Sequence, residues 1–164
     1  MLPVCSQRHE NEMMPLYYDD LKIGQSWTTP ARTVTEADLV NFAGLTGDMH
    51  PIHTDADYSK DSRFGGRIAH GFLVASIASG LGYRLRLTEG TVIANLGFSW
   101  RFQHPVMIGD TIHVVMTVIA MRPSEKNPDA GVVTRKYEVR NHKGDLCATG
   151  EVSVLFKRRP KDGA

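Results

Sequence analysis

Asp48, His50 and His53 fall within six positions of one another in the stretch LTGDMHPIHTDADY, with Pro51 between the histidines and Asp55 and Asp57 just after. Three chemistries use these residue types at this spacing. A carboxylate and two imidazoles are ligands for zinc or iron, and His70 could add a further one. Against a metal, Pro51 argues for a loop, so the two histidines are not displayed one helical turn apart. A purely structural role has Asp48 capping a turn and His53 filling a polar pocket, as suits loop residues. In the third, a carboxyl group and an imidazole reach one small molecule such as water. Histidine near its ordinary pKa accepts a proton at neutral pH, and a partly buried carboxyl group donates or orients one. Spacing by itself leaves all three open.

A second segment, GGRIAHGF at residues 65–72, leads into a long apolar run. Gly71 lies at or near the first turn of the helix expected there. Backbone N–H groups at that point have no partner within the helix and carry the positive end of its dipole. They can hold a carbonyl oxygen that becomes enolate-like during a reaction. The alternative is that Gly71 only lets the chain pack closely.

The elements that position these residues follow from periodicity. Trp27, Thr28, Thr29 and Val34 favour an extended strand after a turn at Gly24. Thr35 reads as a helix N-cap, with Glu36 and Asp38 in the first turn. Leu39, Phe42, Ala43 and Thr46 give that helix one apolar face, and Gly47 ends it. A second helix over residues 69–85 is apolar around its circumference, which predicts burial. It is rich in small residues, including Ser79, Gly80 and Gly82. Glycine costs a helix about 1 kcal/mol against alanine, so a close neighbour such as a curved sheet is expected. After Gly90 the pattern turns to period two. Ile112, Val114, Met116 and Val118 alternate, then Val133, Tyr137 and Val139 with Arg135 breaking the row, then Leu146, Ala148, Val152, Val154 and Phe156. Gly144 marks the turn between the last two strands, and residues 122–131 form a polar loop. The expected class is α+β, a mostly antiparallel sheet curled around one central helix.

With 164 residues, 41% hydrophobic and 23% charged, the chain suits one domain with a sizeable core. Nineteen basic against eighteen acidic residues leave a net charge of +1, which does not point to nucleic acid or a membrane surface as partner. Cys5 and Cys147 form no disulfide framework, so a reducing cytoplasm is expected. No apolar run reads as a signal peptide or a membrane span. The basic end, KRRPKDGA, reads as a solvated tail.

Taken together, Gly47-Asp48-Met49-His50-Pro51-Ile52-His53, Ala69-His70-Gly71 and HPVMIGDTI at residues 104–112 resemble the MaoC-like, (R)-specific enoyl-CoA hydratase family. The resemblance spans residues 17–157, with a flexible tail expected over 1–16 and a basic tail over 158–164. It implies a hot-dog fold and dimers made by joining sheets. It implies a hydratase or dehydratase acting on acyl-CoA thioesters, with no metal and no cofactor. His53 would be the base toward water, Asp48 the proton donor to C2, the Gly71 N–H the ligand of the thioester carbonyl, and Ser79 a support beside the pair. The family's asparagine is His50 here, which keeps hydrogen-bonding capacity and adds a titratable group. Arg63, Arg67, Arg84 and Arg86 lie near the motif or along the helix and could meet CoA phosphates; the alternative for each is a plain surface charge. The rivals are a hot-dog thioesterase and a non-catalytic acyl-CoA sensor.

Overall fold

β-branched residues at period two build the sheet. The computed structural model describes residues 15–160. The expected tail over 1–16 therefore lies almost wholly outside the described residues, as does the end of the basic tail. Strands β1 (Ser26–Thr28) and β2 (Arg32–Thr33) both pair with β4 (Thr111–Pro123), and β3 (Val92–Phe102), β5 (Ala130–Asn141) and β6 (Leu146–Lys157) complete one antiparallel sheet in the order β1-β4-β5-β6-β3. The single strand expected around Trp27 is split in two. Pro30, between β1 and β2, has no N–H to give the ladder, and Thr29 bridges the gap by accepting the Val114 N–H on its hydroxyl at 3.0 Å.

Helix α1 (Glu36–Thr46) begins on a capping box between Thr35 and Asp38, an arrangement that contributes about 1 kcal/mol. It ends at Gly47, whose φ of 77° is a left-handed value that glycine adopts without strain. Two short helices follow, α2 (Pro51–Thr54) and α3 (Ala56–Lys60), and then the long α4 (Gly71–Tyr83). Leu73, Val74, Ile77, Ala78 and Leu81 pack from α4 onto the inner face of the sheet, where Ile112, Val114, Met116 and Val118 are fully buried. This is the hot-dog arrangement.

Two expectations about α4 change. Its burial covers one side only: Phe72, Ser76, Ser79, Gly80 and Tyr83 are exposed on the other. A side chain at Gly82 would stand 3.0 Å from Met116 Sδ, so that glycine does admit the sheet, whereas Gly80 meets nothing within 4 Å. Arg135, the break in the β5 pattern, sets its guanidinium 5.8 Å from the Tyr137 ring and 5.5 Å from that of Phe156.

The basic end differs from a solvated tail in its first residues. Arg158 binds Asp19 at 3.1 Å, and Arg159 forks onto both carboxylate oxygens of Asp20 at 3.0 Å. Among the described residues no helix is long and apolar enough to cross a membrane.

Candidate active site

The motif residues are set by two tight caps. Pro51 takes the first position of α2, where its missing N–H costs nothing, so the expected proline-stiffened loop is in fact one turn of helix. His50 is the cap residue, and its Nδ1 accepts the Ile52 N–H at 3.2 Å. The imidazole thus supplies the acceptor that an asparagine side chain gives at such a position. Asp55 closes α2 and caps α3 through the Tyr58 N–H at 2.9 Å. The approach to α4 is pinned on both sides, Ile68 N–H to the Ile52 carbonyl at 3.3 Å and Ala69 N–H to that of Val106 at 2.8 Å.

These constraints bring Asp48, His53 and His70 together, one carboxylate oxygen or ring nitrogen from each lying within 4.8 Å of the others. His53 Nδ1 is 2.7 Å from the Ile68 carbonyl oxygen. A carbonyl only accepts, so Nδ1 carries the proton and Nε2 keeps its lone pair. Likewise His70 Nε2 donates to the Asp48 carbonyl at 3.0 Å. The His53 and His70 rings stack with centroids 3.8 Å apart and planes 28° from parallel. Burial pushes the His53 imidazole below its ordinary pKa, and the rings of His70 and His50 push the same way. The bond to Ile68 and the Asp48 carboxylate oppose them without reversing the shift.

His53 faces a cavity of about 240 Å³ whose wall includes Ile68, Gly71, Val74, Phe102 and Cys147. Asp48 is exposed beside it. Gly71, the first residue of α4, lines this cavity at a point where a helix N–H has no partner within the helix, and any side chain there would come within 2.9 Å of the Phe102 ring. Burial pushes the Cys147 thiol up to about 11, which removes it as a nucleophile at neutral pH. Ser79 lines a different cavity of about 160 Å³ on the open side of α4, with Ser76, Phe98, Trp100 and Tyr137. Of the four arginines, Arg63 reaches the His53 cavity, Arg67 pairs with Glu36 and Arg86 with Glu89.

The donor set suits proton transfer better than metal binding. His70 Nε2 is committed to the Asp48 carbonyl and its Nδ1 is buried. That leaves one imidazole lone pair, on His53, and the exposed Asp48 carboxylate, whereas zinc takes three or four protein ligands. His70 is the residue whose part here the sequence does not disclose. The AHG triplet marks it, but only folding places it against positions 48 and 53.

Residues 20–141 match the family model described as MaoC like domain. The chain is 42% identical over 115 residues to Protein MaoC of Klebsiella aerogenes, a match over 68% of this chain and 34% of that protein, so it spans about a third of that relative. It is 41% identical over 111 residues to the (R)-specific enoyl-CoA hydratase of Rhodospirillum rubrum, covering 67% of this chain and 74% of the relative. The X-ray structure of a monoamine oxidase regulatory protein from an Archaeoglobus species superposes with a TM-score of 0.83 at 39% identity, over 89% of this chain and 97% of that one. With the family model matched over most of its length and a fold to suit, the chain belongs to the MaoC-like domain family.

Proposed function

We propose that this protein is an (R)-specific hydratase/dehydratase of enoyl and 3-hydroxyacyl thioesters, with CoA as the carrier. The observation that carries the reading is that Asp48 and His53 bring a carboxylate oxygen and a ring nitrogen within 4.8 Å of each other, while His53 and Gly71 line one cavity. The names of the curated hydratase relatives support it. In hydration, His53 Nε2 takes a proton from water as its oxygen bonds to C3. The electron pair of the 2,3 double bond moves toward the thioester carbonyl, whose oxygen the Gly71 N–H stabilises. Asp48, a carboxylate at rest, relays to C2 the proton taken up by His53, so both groups end the cycle as they began. Dehydration reverses each step. No cofactor or metal takes part.

Crotonyl-CoA is expected to lose its enoyl-thioester absorbance when the protein is added, with no release of free thiol to a thiol-reactive dye and no effect of a chelator. Thiol release without hydration would make it a thioesterase, and binding without turnover a sensor. A screen over short, long, branched and dicarboxylic enoyl-CoAs then assigns the acyl group.

The acid limb of kcat/KM tests the base. His53 acts as the free base, and burial lowers its pKa. The rate is therefore expected to hold as pH falls past about 6.5, the ordinary histidine value, and to drop only at lower pH. An acid limb centred above 6.5 would count against His53.

The reading includes a homodimer. Among the described residues β3 is one edge of the sheet, opposite β1 and β2, and Leu96, Phe98 and Phe102 on it are 52%, 62% and 53% exposed. Phe72 and Tyr83 continue the apolar surface on the open side of α4. A long uncovered apolar edge strand invites pairing. Sedimentation is expected to give a dimer, shifted toward monomer in Phe98→Glu; a monomeric wild type contradicts the assembly.

A further inference from the structure

We infer that His70 is a positioning residue that holds both members of the acid–base pair, an inference that rests on the roles given above to Asp48 and His53. The ring is 2% exposed and touches the pair in two different ways. Through Nε2–H it grips the main chain of Asp48 at 3.0 Å, at the point where the chain leaves the Gly47 turn. Through its face it supports the His53 imidazole at a centroid distance of 3.8 Å. Phe42 of α1 packs against it at 5.1 Å. His70 is also the residue that precedes the first turn of α4, yet its side chain makes no cap bond to that helix. It reaches instead across 22 positions of sequence to Asp48.

A packing role alone explains this poorly. Nδ1 of His70 is buried without a hydrogen-bond partner, and an unmatched buried polar atom is a cost that phenylalanine or leucine would avoid. The imidazole earns its place by combining a flat face for His53 with an N–H for Asp48. The Ile68 carbonyl fixes the proton of His53 on Nδ1, and His70 fixes the plane of that ring, so Nε2 is aimed by two independent contacts. Residues that orient a ligand or catalytic histidine from behind commonly act this way.

Two substitutions separate the contacts. His70→Phe keeps the stacked ring and removes the donor; His70→Gln keeps an N–H donor and removes the ring. Each is expected to lower kcat on crotonyl-CoA at least tenfold while KM moves less than threefold, because substrate contacts are untouched. A second readout does not depend on turnover. In spectra of protein labelled at histidine Cε1, the His53 resonance carries the ring-current shift of its stacked neighbour. It is expected to move in His70→Gln and to stay near its place in His70→Phe.

Folded variants that both keep kcat within threefold of wild type would overturn the proposal. So would activity losses that only follow the unfolded fraction by circular dichroism, or failure of both variants to fold, since His70 would then be a core residue and no more. If the wild type does not hydrate enoyl thioesters, the functional reading fails, and the His53 resonance in the two variants still decides whether His70 holds that ring.

Discussion

Alanine in place of His53 is expected to slow hydration of crotonyl-CoA by about 10²- to 10⁴-fold, the span usual for loss of a general base. The loss belongs in kcat as well as kcat/KM, because the imidazole acts on the attacking water and not on the thioester. Asp48→Asn should fall in the same range. It keeps the size of the side chain and an acceptor for the His50 N–H, 3.4 Å from Asp48 Oδ1 in the native chain, and removes the charge and the capacity to carry a proton. Groups that act as a unit are non-additive, so the double variant should be little slower than the slower single one. Stopped assays with matched thermal melts check this. Near-normal rates in both single variants would remove the pair from the mechanism.

The second large effect is expected at Gly71, where two substitutions divide the backbone donor from the space above it. Gly71→Pro deletes the N–H at the first position of α4, a place where proline fits a helix. His70 already has φ −57° and ψ 140°, the extended conformation that a residue before proline prefers. The fold should tolerate the change while the thioester oxygen loses its ligand, a loss of about 10²- to 10³-fold in kcat by comparison with other oxyanion donors. Gly71→Ala keeps the N–H and adds a methyl group 2.9 Å from the Phe102 ring. That ring is half-exposed and its far edge can shift, so alanine should act mainly by crowding the cavity, with a rise in KM and a smaller fall in kcat. Equal kcat for the proline and alanine variants would mean that the Gly71 N–H does not hold the oxyanion.

What the sequence discloses of this molecule is mostly what is decided locally. Thr35, Asp38 and Gly47 bound α1 by contacts within a few residues, and the buried row of β4 is plain from alternation. Pro51 is ambiguous by nature, since the same ring that breaks a helix interior starts one well, and only the His50 cap decides between them. The apolar make-up of α4 could not separate a face packed on its own sheet from one left open, because both are built from the same residue types. The parts least visible are those set at long range. His70 meets Asp48 from 22 positions away, and Arg159 meets Asp20 from 139. The resemblance gives Ser79 a supporting part beside the pair, and within this chain it lines the other cavity with Trp100 and Tyr137.

The strand order carries a consequence for how the chain comes to be folded. β3 follows α4 directly but hydrogen-bonds only to β6, the last strand, and β1 waits for β4. On the ribosome, then, the apolar side of α4 is made well before most of the sheet that covers it. Contacts so distant along the chain raise its contact order and slow nucleation, so the apolar side of the nascent helix stays uncovered in the interval.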